Sequence, residues 1–346
     1  MKKTRKNNTL EGCVYFFLPE TNTNKLGKRR AIYYKMAKND FYLKNELTNV
    51  LTIHSIPHFR EHFYVSENSS ELLLANRNES TTDLLTKEGS SVLLKFEERE
   101  LIYLKSYLKA LSSPRIYIFS IIESYKAYLE SIQLLVDQQI VHNYLNLHSS
   151  LTISRNEVPM ITDFGYSLNI SETTNVDYLQ HFFIEYDPSY LEWAPEFHIL
   201  SYLLTNKMNC LSLTNIESIL TEYLKKHSIL KVFGQELVSS FKEEGLKYFQ
   251  KYVNQSQTYI IDDILRHFGT WDNYALSISF LRILIGVHRS IKIQNKFIIG
   301  FMKLLVQNIS LDPFKRLSIQ ETTNKFNSLL SSLEPHDYKQ LLQSLV

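Results

Sequence analysis

The side chains best able to do chemistry sit in a few short stretches. Asp163, in Asp163-Phe164-Gly165, presents a carboxylate directly after the apolar segment Pro159-Met160-Ile161-Thr162. Such a group can hold a hard cation or accept a proton. His142, in Ile140-Val141-His142-Asn143-Tyr144-Leu145, has the side chain that titrates near neutrality. Tyr144 adds a phenol, which with an ordinary pKa of about 10 stays protonated at neutral pH and is a poor base. Ser149 adds a neutral hydroxyl, a weak ligand for a hard cation. Asp163, His181 and Glu185 could be grouped as metal ligands, but their spacing is not diagnostic. The eleven His and two Cys form no HExxH or CxxC pattern, so zinc chemistry has little support.

Two kinds of element must position these groups. Strand-like runs occupy Cys13 to Leu18, Ala31 to Met36, His62 to Val65, Glu71 to Leu74 and Val92 to Phe96. Among them, Asn45 to Ile53 has helical spacing through Leu47, Val50 and Leu51, and Pro57 stops it. From Glu98 the pattern turns helical. Leu101 to Leu111 and Ile116 to Gln139 are amphipathic, with Pro114 as a start signal for the second. Ser150 to Ile153 and Met160 to Thr162 flank a turn and predict a small hairpin. After Pro195 nearly everything reads as helix to the C-terminus.

The motifs follow one order along the chain. The His142 segment and Asp163-Phe164-Gly165 are followed by Ala194-Pro195-Glu196, then Trp271-Asp272-Asn273-Tyr274-Ala275-Leu276, then Asp312-Pro313-Phe314-Lys315-Arg316-Leu317. Each is weak alone, but the ordered set resembles the eukaryotic-type protein kinase family over essentially the whole chain. The resemblance implies an α+β, bilobal kinase-like fold. Residues 1–97 would form a small β-rich N-lobe with one helix, and 98–346 a large helical C-lobe. It also implies roles. Gly12 would be the last glycine of a glycine-rich loop that continues into Val14. Lys35 would grip nucleotide phosphates with Glu46 as its ion-pair partner, a reading no stronger than a plain lobe-tying ion pair. Asp163 would hold magnesium. Glu196 and Arg316 would pair to fasten the segment after the activation loop, and Asp272 would hydrogen-bond the catalytic-loop backbone. His142 would pack with Phe164 in an internal spine. Ile56-Pro57-His58-Phe59 and the segment Thr270 to Ser277 are similar to divergent kinase-like proteins of large nucleocytoplasmic DNA viruses.

Several positions depart from the family pattern. The catalytic base would fall on Tyr144, a phosphate-stabilising Lys on Asn146, and the second metal ligand, an Asn, on Ser149. No carboxylate lies between His142 and Ile153, so a small alignment slip restores no base and would move the metal-ligand position only to Ser150. The earlier glycines of the phosphate loop fall on Asn7 and Thr9, and a small residue over the adenine is replaced by Tyr33, on the same strand face as Lys35. The stretch between Glu196 and Asp272 is far longer than the family needs. Its helical patterns at Ile216 to Leu224, Val232 to Tyr252 and Ile260 to Phe268 imply an inserted helical unit over about 205–268, either a buttress or a docking module.

Composition bounds the rest. The 346 residues are 44% hydrophobic, 21% charged and rich in Tyr (22) and Phe (20), with few Gly (9) and Pro (8), which favours an ordered helical domain. A formal charge of +2 makes no field for nucleic acid, and no apolar run is long enough to span a membrane. Cys13 and Cys210 are expected as reduced, partly buried thiols. The expectation is a pseudokinase acting as scaffold, virion component or regulator through another protein, with the 205–268 insertion as the contact. The compartment would be host cytoplasm or virion if the chain is viral, and cytoplasm otherwise. No cofactor is expected, and ATP with magnesium would bind only if the pocket is open. One alternative is an active serine/threonine kinase that transfers the ATP γ-phosphate through a displaced base such as Asp177 or Glu185. Another is a remodelled cleft around Tyr33 that binds lipid, peptide or a different small molecule.

Overall fold

The computed structural model describes residues 14–19, 31–38, 41–72, 91–97, 100–173, 176–183, 185–291 and 295–333, with the backbone alone at 14–19, 31–38, 68–72, 91–93, 95, 97 and 287–291. Gly12 and Cys13 lie outside these residues, as does the helix expected beyond 333. The chain is mixed α+β and mostly helical, with small sheets.

The first sheet has the order β1-β2-β5-β4, all antiparallel, from Val14–Pro19, Ala31–Lys38, Ser91–Glu97 and Asn68–Leu72. Pro19 is tolerated because β1 is an edge strand, where a missing N–H breaks no ladder. Helix α1 (Phe41–Ile53) starts earlier than its apolar spacing predicts. It packs Leu43 and Leu47 against Leu94 and Phe96 of β5.

The expected hairpin is present, with β8 (Leu151–Ser154) antiparallel to β9 (Pro159–Thr162). It gains β3 (Phe63–Tyr64), parallel to β9, and β6 (Leu101–Tyr103), antiparallel to β8. This β6 corrects the expected helix over Leu101 to Leu111. Ile102 pairs with Ile153, so the sheet edge takes the first three residues and α2 begins only at Leu104–Ala110. A third ladder joins β7 (Ile140–Val141) to β10 (Leu168–Asn169).

The long helix α3 (Pro114–Asp137) starts with Pro in its first turn and Ser113 accepting the Ile116 N–H. It buries Ile118, Ile121, Tyr125, Tyr128, Leu129 and Ile132 on one face. A short helix α4 (Val176–Gln180) and helix α5 (Pro195–Thr205) follow. Helix α9 (Trp271–Ile291) is central, since every residue from Trp271 to Ile285 except Arg282 is buried. A helix apolar on all sides must be enclosed by others. Here Tyr125 meets Phe280 edge-on, and helices α10 (Lys296–Asn308) and α11 (Ile319–Ser331) add Phe301 and Phe326 to the same ring cluster.

The stretch between Glu196 and Asp272 supplies α6 (Leu213–Lys226), α7 (Gln235–Phe249) and α8 (Gln257–Leu265). The helix expected from Val232 starts only at Gln235. Gly234, at φ 103, ends the preceding turn Leu230–Phe233 in a conformation that side-chain-bearing residues avoid. Ile216, Leu220, Tyr223, Phe249, Tyr252 and Ile264 join the main hydrophobic core, so the inner faces of these helices are buttresses. Cys210 is an exposed free thiol, where partial burial was expected. Among the described residues no helix is long and apolar enough to cross a membrane.

One fully buried ion pair ties α5 to the turn before α11. Arg316 donates from both terminal nitrogens to Glu196, at 2.8 and 2.7 Å, and its Nε donates to the Ser310 carbonyl at 2.7 Å. Trp271 Nε1 donates to the same Glu196 at 3.2 Å. Removing one partner leaves a bare charge in the core. Glu196→Ala or Arg316→Met should therefore each cost about 3–5 kcal/mol in urea unfolding at neutral pH, and the double change to apolar residues much less than the two costs added.

Candidate functional site

The segment 142–150 between β7 and β8 is built around one carboxylate. Asp272, 2% exposed in the first turn of α9, accepts the N–H of His142 at 2.7 Å and that of Asn143 at 3.2 Å. The chain can turn there because Asn143 takes a positive φ of 63°, which Asn tolerates better than most residues. Burial pushes the Asp272 carboxyl up to about 7, against the pull of its two N–H donors.

His142 is fully buried. Its Nδ1 accepts the Tyr144 N–H at 3.3 Å, so its Nε2 carries the proton and donates to the Thr162 carbonyl at 3.0 Å. Burial holds its pKa down to about 4, although the Thr162 carbonyl and the Asp163 charge pull the other way. A neutral, doubly engaged imidazole is packing, not an acid–base group at neutral pH. Its ring lies 5.0 Å from Phe164, whose ring in turn lies 5.8 Å from Phe63 on β3, forming a buried aromatic row through the two motifs.

Tyr144 occupies the middle of a second row. It stacks on Tyr190 at 5.2 Å with the rings 9° from parallel, and on Tyr166 at 5.5 Å and 28°. Tyr166 continues to Tyr42 of α1 at 4.5 Å, and Tyr190 to Trp193 at 5.2 Å. Burial raises the Tyr144 phenol above its ordinary range, and the charges of Glu192 and Asp163 raise it further. Glu192 is ion-paired with Arg282.

Asn146 and Ser149 are engaged with each other and with the loop. Asn146 Nδ2 donates to Ser149 Oγ at 2.7 Å, and its Oδ1 accepts the N–H groups of His148 and Ser149 at 2.9 and 3.0 Å. Ser150 Oγ accepts the Asn146 N–H at 2.9 Å and donates to the Tyr144 carbonyl at 2.9 Å. These groups hold the turn.

Asp163 has a positive φ of 72° and starts the single turn Phe164–Tyr166. Helix α1 clamps the residues that follow. Asn45 donates to the carbonyls of Gly165 and Ser167 at 2.9 and 2.8 Å, and Asn49 donates to Ser167 at 3.1 Å. Glu46, 3% exposed, lies over Gly165, where a Cβ would come 3.6 Å from its Oε2. The segment after Asp163 also returns to α1. Tyr178 of α4 donates to Asn45 Oδ1 at 3.1 Å, Tyr42 donates to the His181 carbonyl at 2.7 Å, and His181 stacks on Phe41 at 3.9 Å.

His142, Tyr144, Asn146, Ser149, Asp163 and Glu46 are thus gathered around one loop, and Asp272 anchors it. Glu196 and Arg316 lock the neighbouring segment. Tyr33 and Lys35 lie on β2 across from Phe96 and Leu94, and Val14 lies across from Met36. Their side chains are outside the description, as is Gly12. Asp163, His181 and Glu185 form no metal-holding group. The spacing arguments missed Tyr166, Tyr190, Trp193, Asn45 and Asn49. Only the abundance of Tyr and the position of Tyr166 directly after Gly165 hinted at the stack. A scan against family models finds no match for this chain, and a search of curated proteins finds none either.

The buried titratable groups set a pH dependence. Burial lowers His142 and His198 to about 4 and His227 to about 3, below the usual 6.5, so unfolding takes up three protons in moderate acid. Asp272, raised to about 7 from 3.8, gives one up, and the net uptake is about two. The histidine contribution is present above pH 6.5 and is lost as pH falls toward 4, while the Asp272 contribution runs the other way. Unfolding free energy should drop by on the order of 2–3 kcal/mol per pH unit in that window. His198→Phe should flatten the slope by about 1.4 kcal/mol per unit in urea titrations at several pH values.

Proposed function

We propose that this chain is a protein-kinase-like protein with a bilobal frame that has given up phosphoryl transfer, a pseudokinase that works through protein contacts as scaffold, virion component or regulator. The observation that carries the reading is the stacking of Tyr144 between Tyr166 and Tyr190 where a kinase needs a carboxylate. A phenol raised by burial and by two nearby negative charges stays protonated at neutral pH and cannot take a substrate proton. The motif order, the grip of Asp272 on the loop and the Glu196–Arg316 pair support the kinase-like frame.

The loop's own polar residues are poorly placed to hold magnesium. Asn146 and Ser149 spend their polar atoms inside the turn. Asp163 keeps a carboxylate suited to a cation. The displaced-base alternative gains nothing from the packing either. Asp177 and Glu185 are exposed, and the carboxylates that perturb Tyr144 are Glu192 and Asp163.

Thermal unfolding with and without millimolar magnesium and ATP tests this directly. A ligand at about a hundred times its Kd would add about 2.7 kcal/mol and move the midpoint visibly. The expected result is no shift and no transfer of radiolabelled phosphate to a generic protein substrate. Tyr144→Asp should not restore transfer, because Asn146, Ser149 and the flanking rings remain. A magnesium-dependent shift together with transfer by the unaltered protein would overturn the reading.

A further inference from the structure

The most exposed large apolar side chain among the described residues is Phe314, at 76%, at the tip of the turn Pro313–Lys315. Its backbone is held rigidly. Asp312 Oδ1 accepts the Phe314 N–H at 3.0 Å, Arg316 is locked to Glu196, and Glu244 of α7 accepts Lys315 Nζ at 2.6 Å and the Asp312 N–H at 3.2 Å. A large ring shown to solvent on a fixed platform has little conformational entropy left to lose on binding. One edge of the ring meets His267 at 4.9 Å and Tyr248 at 6.0 Å, both edge-on, and the rest faces solvent.

Grooves flank the ring on both sides. One, of about 690 Å³, runs between α7 and α10 past Phe241, Val306 and Leu317. The other, of about 470 Å³, lies along α7 past Tyr248 and Lys251. Lys303 and Lys315 edge the first groove, and Lys247, Lys251 and Lys315 the second. Three of the acids nearby are engaged within the fold, and Glu243 of α7 is exposed. Glu244 holds Lys315 and Asp312, Glu321 accepts the Ser318 N–H at 2.8 Å as a helix cap, and Asp263 pairs with Lys251 at 2.5 Å. Among the described residues Lys247 and Lys303, both exposed, have no ion-pair or hydrogen-bond partner. The surface therefore offers a mostly exposed aromatic ring, a groove lined in part by Phe241, Val306 and Leu317, and, among the described residues, two exposed lysines without an ion-pair partner.

We infer that this face docks an acidic peptide segment of another protein, which lies across Phe314 with apolar residues in the grooves and carboxylates on Lys247 and Lys303. Aromatic anchors with charged neighbours are where binding energy concentrates in such contacts. Because α7 belongs to the stretch between Glu196 and Asp272, this inference deepens the scaffold reading and rests on it by naming the docking face and the chemistry of its partner.

The test is selection of short random peptides displayed on phage against the whole purified chain, without nucleotide, followed by affinity measurement by fluorescence anisotropy. Selected peptides should be rich in Asp and Glu around a few apolar residues. Their binding should weaken with added salt and fall about tenfold or more on Phe314→Ala, the size of an aromatic hot spot. Lys303→Glu should also weaken it, and Phe119→Ala, at an exposed ring on α3, should leave it unchanged. The ring at 314 is mostly exposed, so its loss should keep one cooperative thermal transition, lowered only slightly by the loss of its edge contacts with His267 and Tyr248. Failure to enrich, selection of neutral or basic peptides, or affinity that survives Phe314→Ala would overturn the docking face. Nucleotide takes no part, so this outcome is separate from the magnesium and ATP result that decides the scaffold reading.

Discussion

The arrangement depends on one carboxylate that helix α9 holds out of water. Asp272 accepts two successive N–H groups from His142 and Asn143, and that fixes where the loop leaves β7. Everything described around the loop follows from that attachment. His142 is set against Phe164, Tyr144 is aimed between Tyr166 and Tyr190, and the Asn143 carbonyl accepts the Trp193 indole N–H at 3.0 Å. Burial opposes ionisation of Asp272, so the anchor works only because its two donors arrive together. The Glu196–Arg316 pair adjoins it through Trp271, the residue before Asp272, whose indole donates to Glu196. Two buried polar joints therefore share one end of one helix.

Much of this was legible in the sequence for a physical reason. A backbone-anchoring Asp, a paired Glu and Arg, and a buried His packed on a Phe each need a specific side chain, so residue type and order along the chain betray them. Asp272, Glu196, Arg316, His142 and Phe164 could all be placed in this way. The hairpin of β8 and β9 was legible because two apolar runs flank a polar turn. Other features depend on partners far apart in sequence. The stack of Tyr42, Tyr166, Tyr144 and Tyr190 draws its rings from separate elements, and a Tyr at any one of those positions carries no mark of its neighbours. The same holds for Asn45 and Asn49, whose amides satisfy carbonyls more than a hundred residues away. β6 was hidden because its pairing with β8 outweighs a helical apolar pattern that continues into α2.

Helix α1 shows how the loop is coupled to the strand-rich part of the chain. A helix that touched the Asp163 segment only through apolar side chains could slide along it. Asn45 and Asn49 instead satisfy the carbonyls of Gly165 and Ser167, and displacement would leave those buried acceptors unpaired. Tyr178 and His181 close the far side by bonding and stacking on the same helix. The helix is therefore held from two sides by the segment that follows Asp163.

The exchange of a carboxylate for an aromatic stack has an energetic logic under the pseudokinase reading. A catalytic Asp in a half-buried loop is a strained, desolvated charge that a working enzyme tolerates for its chemistry. Once transfer is no longer required, a ring that stacks on both neighbours replaces that cost with contacts worth about 0.5–1.5 kcal/mol per pair. Asn146 and Ser149 extend the same trade, since side chains that would face a metal turn inward and close the turn. A site that has become a packed joint also transmits rigidity between α1, the loop and the segment leading to Glu196. Rigidity of that kind also suits the proposed docking face, where Asp312 and Glu244 hold the backbone under Phe314.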